Sequence, residues 1–487
     1  MTTTFSGPEL RRLLAAVFVG AVVFRVALFY SGFVEVVYDT YDSWEYRDLA
    51  WSMLQHGTFG LEGVPKMNRT PGYPGFLAVL FSLFGGSRVA VTGAQVALDA
   101  VTCVMVVHIA VAMRLRRAAI AGVALLAVSC LFTAIYSMMM MTEVVYTFLI
   151  TAALWALATS PRPPAETFFH ATLGRVVLSA AAIGCAILVR PALVPPAMLF
   201  GAFVVGAGIL RPPLRSDFWR AIRQPLAFAM VVALIVMPWL LRNYVVFHDE
   251  FTRGGNDQLT LFGYKTDILT YRHWYTKEFS GYLYSNEEPF VMTKGYRPPE
   301  LARHVYPEEK ADLERAFAAL EPQLLLGDQP LEPASLQEFA RITDNRYRAA
   351  ARLHVTAPLS RALRIWVSPR ISAFWKDTSG LNSSRTLVAS FTAYDLLYVV
   401  PGFVGLLWGF HRVTPVGFWF VLAMILGHTW MYSVWLPMPQ SRYAIPLFPF
   451  IALAAGMFLH QVSVRRAAAD DIVPGAQGVP AGGGRQL

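Results

Sequence analysis

Long apolar runs constrain this chain more than any other feature. They recur at 13–33, 88–113, 119–137, 142–159, 172–189, 192–210, 225–246, 389–410, 414–436 and 443–463, several reaching the roughly 20 residues needed to cross a bilayer. Backbone polar groups in hydrocarbon must be satisfied within the segment, so such runs have to be helices. The expected fold is therefore an all-α polytopic membrane protein with about ten transmembrane helices. Composition agrees: mean hydropathy is +0.45, and 55% of the 487 residues are hydrophobic against 15% charged, far from a soluble average. The first run follows Arg11-Arg12 as a signal peptide would. It is long, contains Arg25 and ends without a small-residue cleavage pattern, so it reads as a retained span. Cys103, Cys130 and Cys185 all fall inside apolar runs, which excludes a disulfide framework or zinc spacing and makes them buried small hydrophobes.

Charge sets the threading. The formal net charge is +9, but the arginines concentrate in short loops between spans, a topology signal and not a nucleic-acid partner. The segment 71–86, PGYPGFLAVLFSLFGG, is only about 15 residues long with prolines at its start and glycines at its end, which suits an interfacial or re-entrant helix. If it does not cross, Arg11, Arg12, Arg114, Arg116, Arg117, Arg162, Arg211, Arg215, Arg220, Arg223, Arg412, Arg465 and Arg466 all lie in the cytoplasm with both termini. Two large segments then lie outside, the loop at 34–87 and the region 247–388, the latter expected as a mixed α/β or α-rich domain. Residues 357–375 mix arginines with Leu, Ile, Trp and Phe at the spacing of an amphipathic interfacial helix. The organisation is thus a catalytic transmembrane module at 1–246, the outer domain, transmembrane helices at 389–463 and a disordered tail at 464–487.

This threading brings six polar stretches, at 39–46, 68–74, 142–143, 190–191, 238–243 and 440–443, to the same outer surface. Ionisable groups gathered at one mouth of a membrane protein point to a functional site. Asp42 and Tyr46 lie one helical turn apart, and Asp39 three residues earlier. An acid here can deprotonate an acceptor hydroxyl if burial or neighbours raise its pKa toward working pH. Glu143 opens a span at the same surface and must face protein or water rather than lipid. Arg69, Arg190, Arg242 and Arg442 emerge where a lipid-borne phosphate would sit, and arginine offers phosphate a fork of donors; Lys265 is a fifth cation. Deeper, Arg25 and Asp99 lie at similar depths, some 12–16 Å down at about 1.5 Å per residue, and read as a structural ion pair, with a proton-path role as the alternative. His108 and Gln95 read as packing or interhelical hydrogen-bonding residues.

The ordered set D-x-x-x-Y-x-x-L-A, R-x-P-G-Y-P, T-E, R-P, P-W-x-x-R-N and R-Y-x-x-P resembles the GT-C membrane glycosyltransferases, in the branch of protein O-mannosyltransferases, the lipid A aminoarabinose transferase and the lipopolysaccharide-core sugar transferases. The resemblance implies a polyprenyl-phosphate sugar donor, a lipid, glycan or protein acceptor on the outer face, inversion at the anomeric carbon and an acid in the first outer loop. That acid falls on Asp42, the second outer acid on Glu143, and Tyr46, Trp239, Asn243 and Tyr443 fall in the substrate pocket. The chain departs from the pattern at Gln440, where related chains often carry an acid. No cofactor is demanded; a divalent cation would have Asp39, Asp42 and Glu143 as hard oxygen ligands. The other reading is a transporter or flippase of a lipid-linked glycan, which would use the same cations only to bind. The setting expected is a bacterial inner membrane with the site on the extracytoplasmic side.

Overall fold

The computed structural model describes residues 5–31, 41–61, 63–66, 69–160, 171–210, 218–248, 358–359, 361–363, 365–367, 385–408, 415–435 and 441–472. Among these, the chain is a bundle of helices with a single two-stranded hairpin, Gly60–Leu61 against Val64–Pro65. The helices are α1 (Gly7–Tyr30), α2 (Tyr41–His56), α3 (Gly72–Phe84), α4 (Arg88–Ala112), α5 (Arg117–Val128), α6 (Leu131–Tyr136), α7 (Glu143–Ala158), α8 (Leu173–Val189), α9 (Val194–Leu210), α10 (Phe218–Val246), α11 (Arg385–Trp408), α12 (Pro415–Trp430) and α13 (Phe448–Ile472).

Seven described helical stretches are long and apolar enough to cross a membrane, which makes the protein a polytopic membrane protein. The apolar helices at Glu143–Ala158, Leu173–Val189, Pro191–Gly206 and Gly72–Phe84 are shorter. Of these, α7 is buried on most sides and packs against α4 and α8, so its length is set by the turn preceding Glu143 rather than by exposure to lipid. With no hydrophobic drive between helices in lipid, close backbone approach holds such a bundle together. At Gly405 of α11 an added Cβ would collide with the Ala454 carbonyl of α13, and α11 and α13 form the most extensive helix pair among the described residues.

The expected pair inside the bundle is present. Arg25 Nη2 lies 2.6 Å from Asp99 Oδ2, and Nε donates to the same oxygen at 2.7 Å. Arg25 Nη1 donates to the Ala21 and Val128 carbonyls, both at 3.0 Å, so this guanidinium is saturated where α1, α4 and α5 meet. Trp155 donates to His108 at 3.0 Å, an interhelical bond between α7 and α4. Cys103 and Cys130 are buried, but Cys185 is exposed; the apolar run around it has one side turned out of the bundle, so run membership alone misplaced it.

Among the described residues, the start of α5 and the end of α13 carry basic residues that bind neighbouring helices. Arg117 reaches Glu9, whose side chain closes the capping box of α1 with Ser6, Arg116 donates its amide to His460, and Arg465 lies over Trp408. The tail expected to be disordered from 464 instead continues α13 to Ile472, because its alanines are the best helix formers and extend a ladder already nucleated. Residues 473–487, most of 247–388 and Lys265 lie outside the described residues. Of the interfacial stretch 357–375, residues 358–359, 361–363 and 365–367 are helical. Arg361 there donates to the Ser433 carbonyl at 2.8 Å and Trp366 to Thr429 at 3.0 Å, so its polar groups bind the bundle.

Candidate active site

The segment after α1, read from the sequence as a long loop, is helical over Tyr41–His56, which is α2. Its face places Asp42, Glu45, Tyr46 and Leu49 in a line, the i, i+3, i+4, i+7 spacing of one helix side. Leu49 and Ala50 are fully buried and fix the rotation of α2, so the acids on this face must turn into the protein.

Arg69 lies across that face because the start of α3 is pinned against the end of α8. At Gly72 an added Cβ would stand 2.6 Å from the Leu188 carbonyl at the end of α8, so only glycine allows this approach. Thr70 then donates to Val189 at 3.4 Å, which brings Arg69 close to Arg190. Arg69 Nη2 donates to Asp42 Oδ1 at 2.6 Å, Nε to Glu45 Oε2 at 2.7 Å and Nη1 to the Tyr46 hydroxyl at 3.4 Å, with Cζ 5.1 Å from the Tyr46 ring centroid.

Glu143 is delivered from the other side by Gln95. Its amide nitrogen donates to the Ser137 and Met139 carbonyls at 3.3 and 2.6 Å, and its oxygen accepts from Tyr73 of α3 at 2.8 Å. This ties the buried turn 137–142 to α3 and α4 and starts α7 at Glu143, a first-turn acid favoured by the helix dipole. Arg190, where the chain turns extended after α8, donates from Nη1 to Glu143 Oε1 at 3.2 Å.

The last contribution comes from the 3₁₀ segment Ser441–Leu447, ahead of α13. Arg442 Nη1 lies 3.7 Å from Asp42 Oδ2, and its buried Nε makes no hydrogen bond. Arg442 Cζ is 5.3 Å and Arg190 Cζ 4.9 Å from the Tyr443 ring centroid, so both guanidinium groups lean on one tyrosine. Tyr443 in turn stacks on Tyr432 with centroids 3.9 Å apart and planes at 5°, Tyr432 lying in a π-helical turn at the end of α12, a feature frequent at functional sites.

Burial pushes the Asp42 carboxyl up, but Arg69 and then Arg442 and Arg190 pull it further the other way, leaving it below the ordinary carboxylate range. This corrects the expectation of a raised pKa: the attraction of three nearby guanidinium groups outweighs burial. Burial pushes the Tyr46 phenol up to about 12, so it remains a neutral O–H.

Thus Asp42, Tyr46, Arg69, Glu143, Arg190, Arg442 and Tyr443 form one cluster. Arg242 stands beside it with different partners. Its Nη1 donates to the Lys66 carbonyl at 2.9 Å and to Asn243 at 2.8 Å, and Nη2 to the Phe59 carbonyl at 3.0 Å. Trp239 packs edge-on against Phe59 in a small apolar cluster with Leu49. Arg242, Asn243 and Trp239 therefore clamp the hairpin at 60–65, with the Trp239 Nε1 donor buried and unpartnered. Asp39, Lys265 and Gln440 lie outside the described residues. Among the described residues no three His, Cys, Asp or Glu side chains group as a metal site; Asp42 and Glu143 instead face guanidinium groups.

Glu45 and Tyr432 were missed. Glu45 could have been found, since it lies on the same helical face as Asp42 and Tyr46. Nothing in the sequence pairs Tyr432 with Tyr443.

No protein-family profile and no curated protein matches the chain. Among solved structures it is similar to the archaeal oligosaccharyltransferase AglB from Archaeoglobus fulgidus in complex with an inhibitory peptide and a dolichol-phosphate. Identity there is 13% over 96% of this chain and 52% of that one, with a TM-score of 0.47. An Archaeoglobus fulgidus oligosaccharyltransferase tethered with an acceptor peptide gives 15%, 95% and 51%, and 0.49. ArnT from Cupriavidus metallidurans bound to undecaprenyl phosphate gives 14%, 96% and 80%, and 0.36. The chain spans about half the length of the archaeal structures it matches. At these identities and TM-scores the functional reading rests on the site's own residues.

Proposed function

We propose that this protein is an inverting glycosyltransferase that moves a sugar from a polyprenyl-phosphate donor to an acceptor hydroxyl at the outer face of the membrane. One observation carries the reading: Arg190 and Arg442 converge on Tyr443 beside Asp42 and Glu143, with a buried Arg442 N–H still unpartnered. Two fixed cations facing two acids suit a phosphate departing from a carbon that an activated hydroxyl attacks.

Asp42 takes the acceptor proton as the acceptor oxygen bonds to the anomeric carbon. The bond from that carbon to the donor phosphate oxygen breaks on the opposite face, and its electron pair leaves with the phosphate. Phosphate is a good leaving group, so cationic stabilisation does more here than acid assistance. Arg190 and Arg442 are in place to hold the departing charge before it forms. Glu143 orients the Arg190 fork, and Arg242 holds the hairpin beside the site. The acceptor is a lipid, glycan or protein, and the site faces the extracytoplasmic side of a bacterial inner membrane, opposite the arginine-rich end of the bundle.

A transporter would want a polar path continuing through the bilayer. Below the site the buried Arg25–Asp99 pair is closed on itself, which favours transfer over transport. The test is incubation of membranes containing the protein with a panel of radiolabelled polyprenyl-phosphate sugars, with and without chelator. Label should reach an acceptor from one donor and not with Asp42→Asn; no transfer from any donor by folded protein refutes the reading.

A further inference from the structure

Glu45 takes no part in the transfer steps proposed above, yet its side chain is only 10% exposed and holds one of the three arginines. The geometry around Arg69 is specific. One edge of its guanidinium, Nε and Nη2, bridges Glu45 and Asp42 at 2.7 and 2.6 Å. Among the described residues the remaining nitrogen, Nη1, has only the long 3.4 Å contact to the Tyr46 hydroxyl. Glu45 and Asp42 are three residues apart on α2, so the rigid helix fixes their separation and one guanidinium spans both.

This arrangement poses a problem for catalysis. Asp42 Oδ1 is covered by Arg69 at 2.6 Å and Oδ2 faces Arg442 at 3.7 Å; a carboxylate with its lone pairs on two cations is a weak base. A donor phosphate presents strong acceptors to the same fork and competes with Asp42 for Nη2 while taking the loosely held Nη1. Resting on the transfer reading above, we propose that Glu45 is a positioning residue. It retains Arg69 through Nε while the other N–H groups pass from Asp42 to the donor phosphate, so that the base is uncovered only when a donor is bound.

Charge supports the same conclusion. Among the described residues of the cluster, Arg69, Arg190 and Arg442 are matched by Asp42, Glu45 and Glu143. Without Glu45 the site carries one surplus positive charge, which grips a phosphate more strongly in the ground state and leaves Arg69 to Asp42 alone. Removing Glu45 should therefore tighten the donor and slow the reaction, the signature of an interaction that matters more in the transition state than in the bound complex.

The experiment uses the full-length protein with a polyprenyl-phosphate sugar for turnover and undecaprenyl phosphate as the binding probe. Glu45→Gln should lower kcat by about tenfold, equivalent to about 1.4 kcal/mol, while undecaprenyl phosphate binds about threefold tighter. Glu45→Asp keeps the charge one carbon shorter and should fall between Glu45→Gln and wild type on both readouts. Loss of packing alone would weaken binding and turnover together. Unchanged kcat in Glu45→Gln, or reduced kcat with unchanged or weaker probe binding, overturns the proposal. If Glu45→Gln fails to fold, Glu45→Asp decides: wild-type kcat and probe affinity overturn it. A wild-type protein that neither binds the probe nor transfers sugar overturns the parent reading and this one together; an active wild type with an indifferent Glu45→Gln overturns this one alone.

Discussion

Take Asp99→Asn, Arg25→Met and the double variant as a thermodynamic cycle on the buried pair. At a separation of 2.6 Å and an effective dielectric constant near 20, the attraction is of order 6 kcal/mol. Desolvating two ions costs several kcal/mol each. Those terms nearly cancel, so the intact pair contributes little net stability, while either single variant strands a charge and should cost about 3–5 kcal/mol. Asp99→Asn should sit at the mild end, because Arg25 keeps the Ala21 and Val128 carbonyls as acceptors. Arg25→Met leaves the 3%-exposed Asp99 without its two donors and should be the worse single variant. The double variant should unfold later than either, with a coupling of roughly 3 kcal/mol, at the upper end for contacting residues. The assay is thermal unfolding of the detergent-solubilised protein followed by tryptophan fluorescence, at one scan rate for all four proteins. Additive losses across the cycle would mean that the charges are not coupled, and the argument from cancelling terms would fail.

Asp42→Asn keeps the shape but not the basicity, so turnover should fall by about 10²–10⁴-fold while undecaprenyl phosphate still binds; near-normal transfer by the folded variant removes Asp42 as base. The cations hold the Asp42 carboxyl below the ordinary range, so the stability its charge contributes should be present in full above the ordinary carboxylate range and be lost progressively as pH falls from that range to the lowered pKa, because only the unfolded chain takes up a proton there. Asp42→Asn should flatten that part of the acid-unfolding profile; an unchanged profile in the folded variant would contradict this. Arg190→Lys and Arg442→Lys keep the charge but lose the fork, so probe affinity should fall in both without loss of folded protein, and unchanged affinity returns them to structural roles. Impermeant thiol labelling of intact cells should mark Ser285→Cys and spare Ala468→Cys; the reverse pattern would invert the threading.

Helices, membrane residence and the gathering of polar motifs were readable from the sequence because each depends on local rules. A run of apolar residues has no stable state in lipid other than a helix, and the D-x-x-x-Y spacing puts two side chains on one helix face wherever that helix ends up. The depth-matched Arg25 and Asp99 could be paired by counting residues, since a bundle helix converts sequence position into depth at a fixed rise.

Only tertiary structure decided how the motifs face each other. Arg242 and Arg442 look alike in sequence, each an arginine at one end of an apolar run. Backbone carbonyls of the hairpin claim Arg242, while a turn of 3₁₀ helix aims Arg442 at Asp42. The direction of the Asp42 pKa shift was unreadable for the same reason. Burial and cationic neighbours oppose each other, and which wins depends on distances of a few ångströms between residues 27 and 400 positions apart in the chain. Glu45 belongs to both kinds: its place on the α2 face follows from spacing, but its hold on Arg69 exists only because Gly72 lets the loop close against α8.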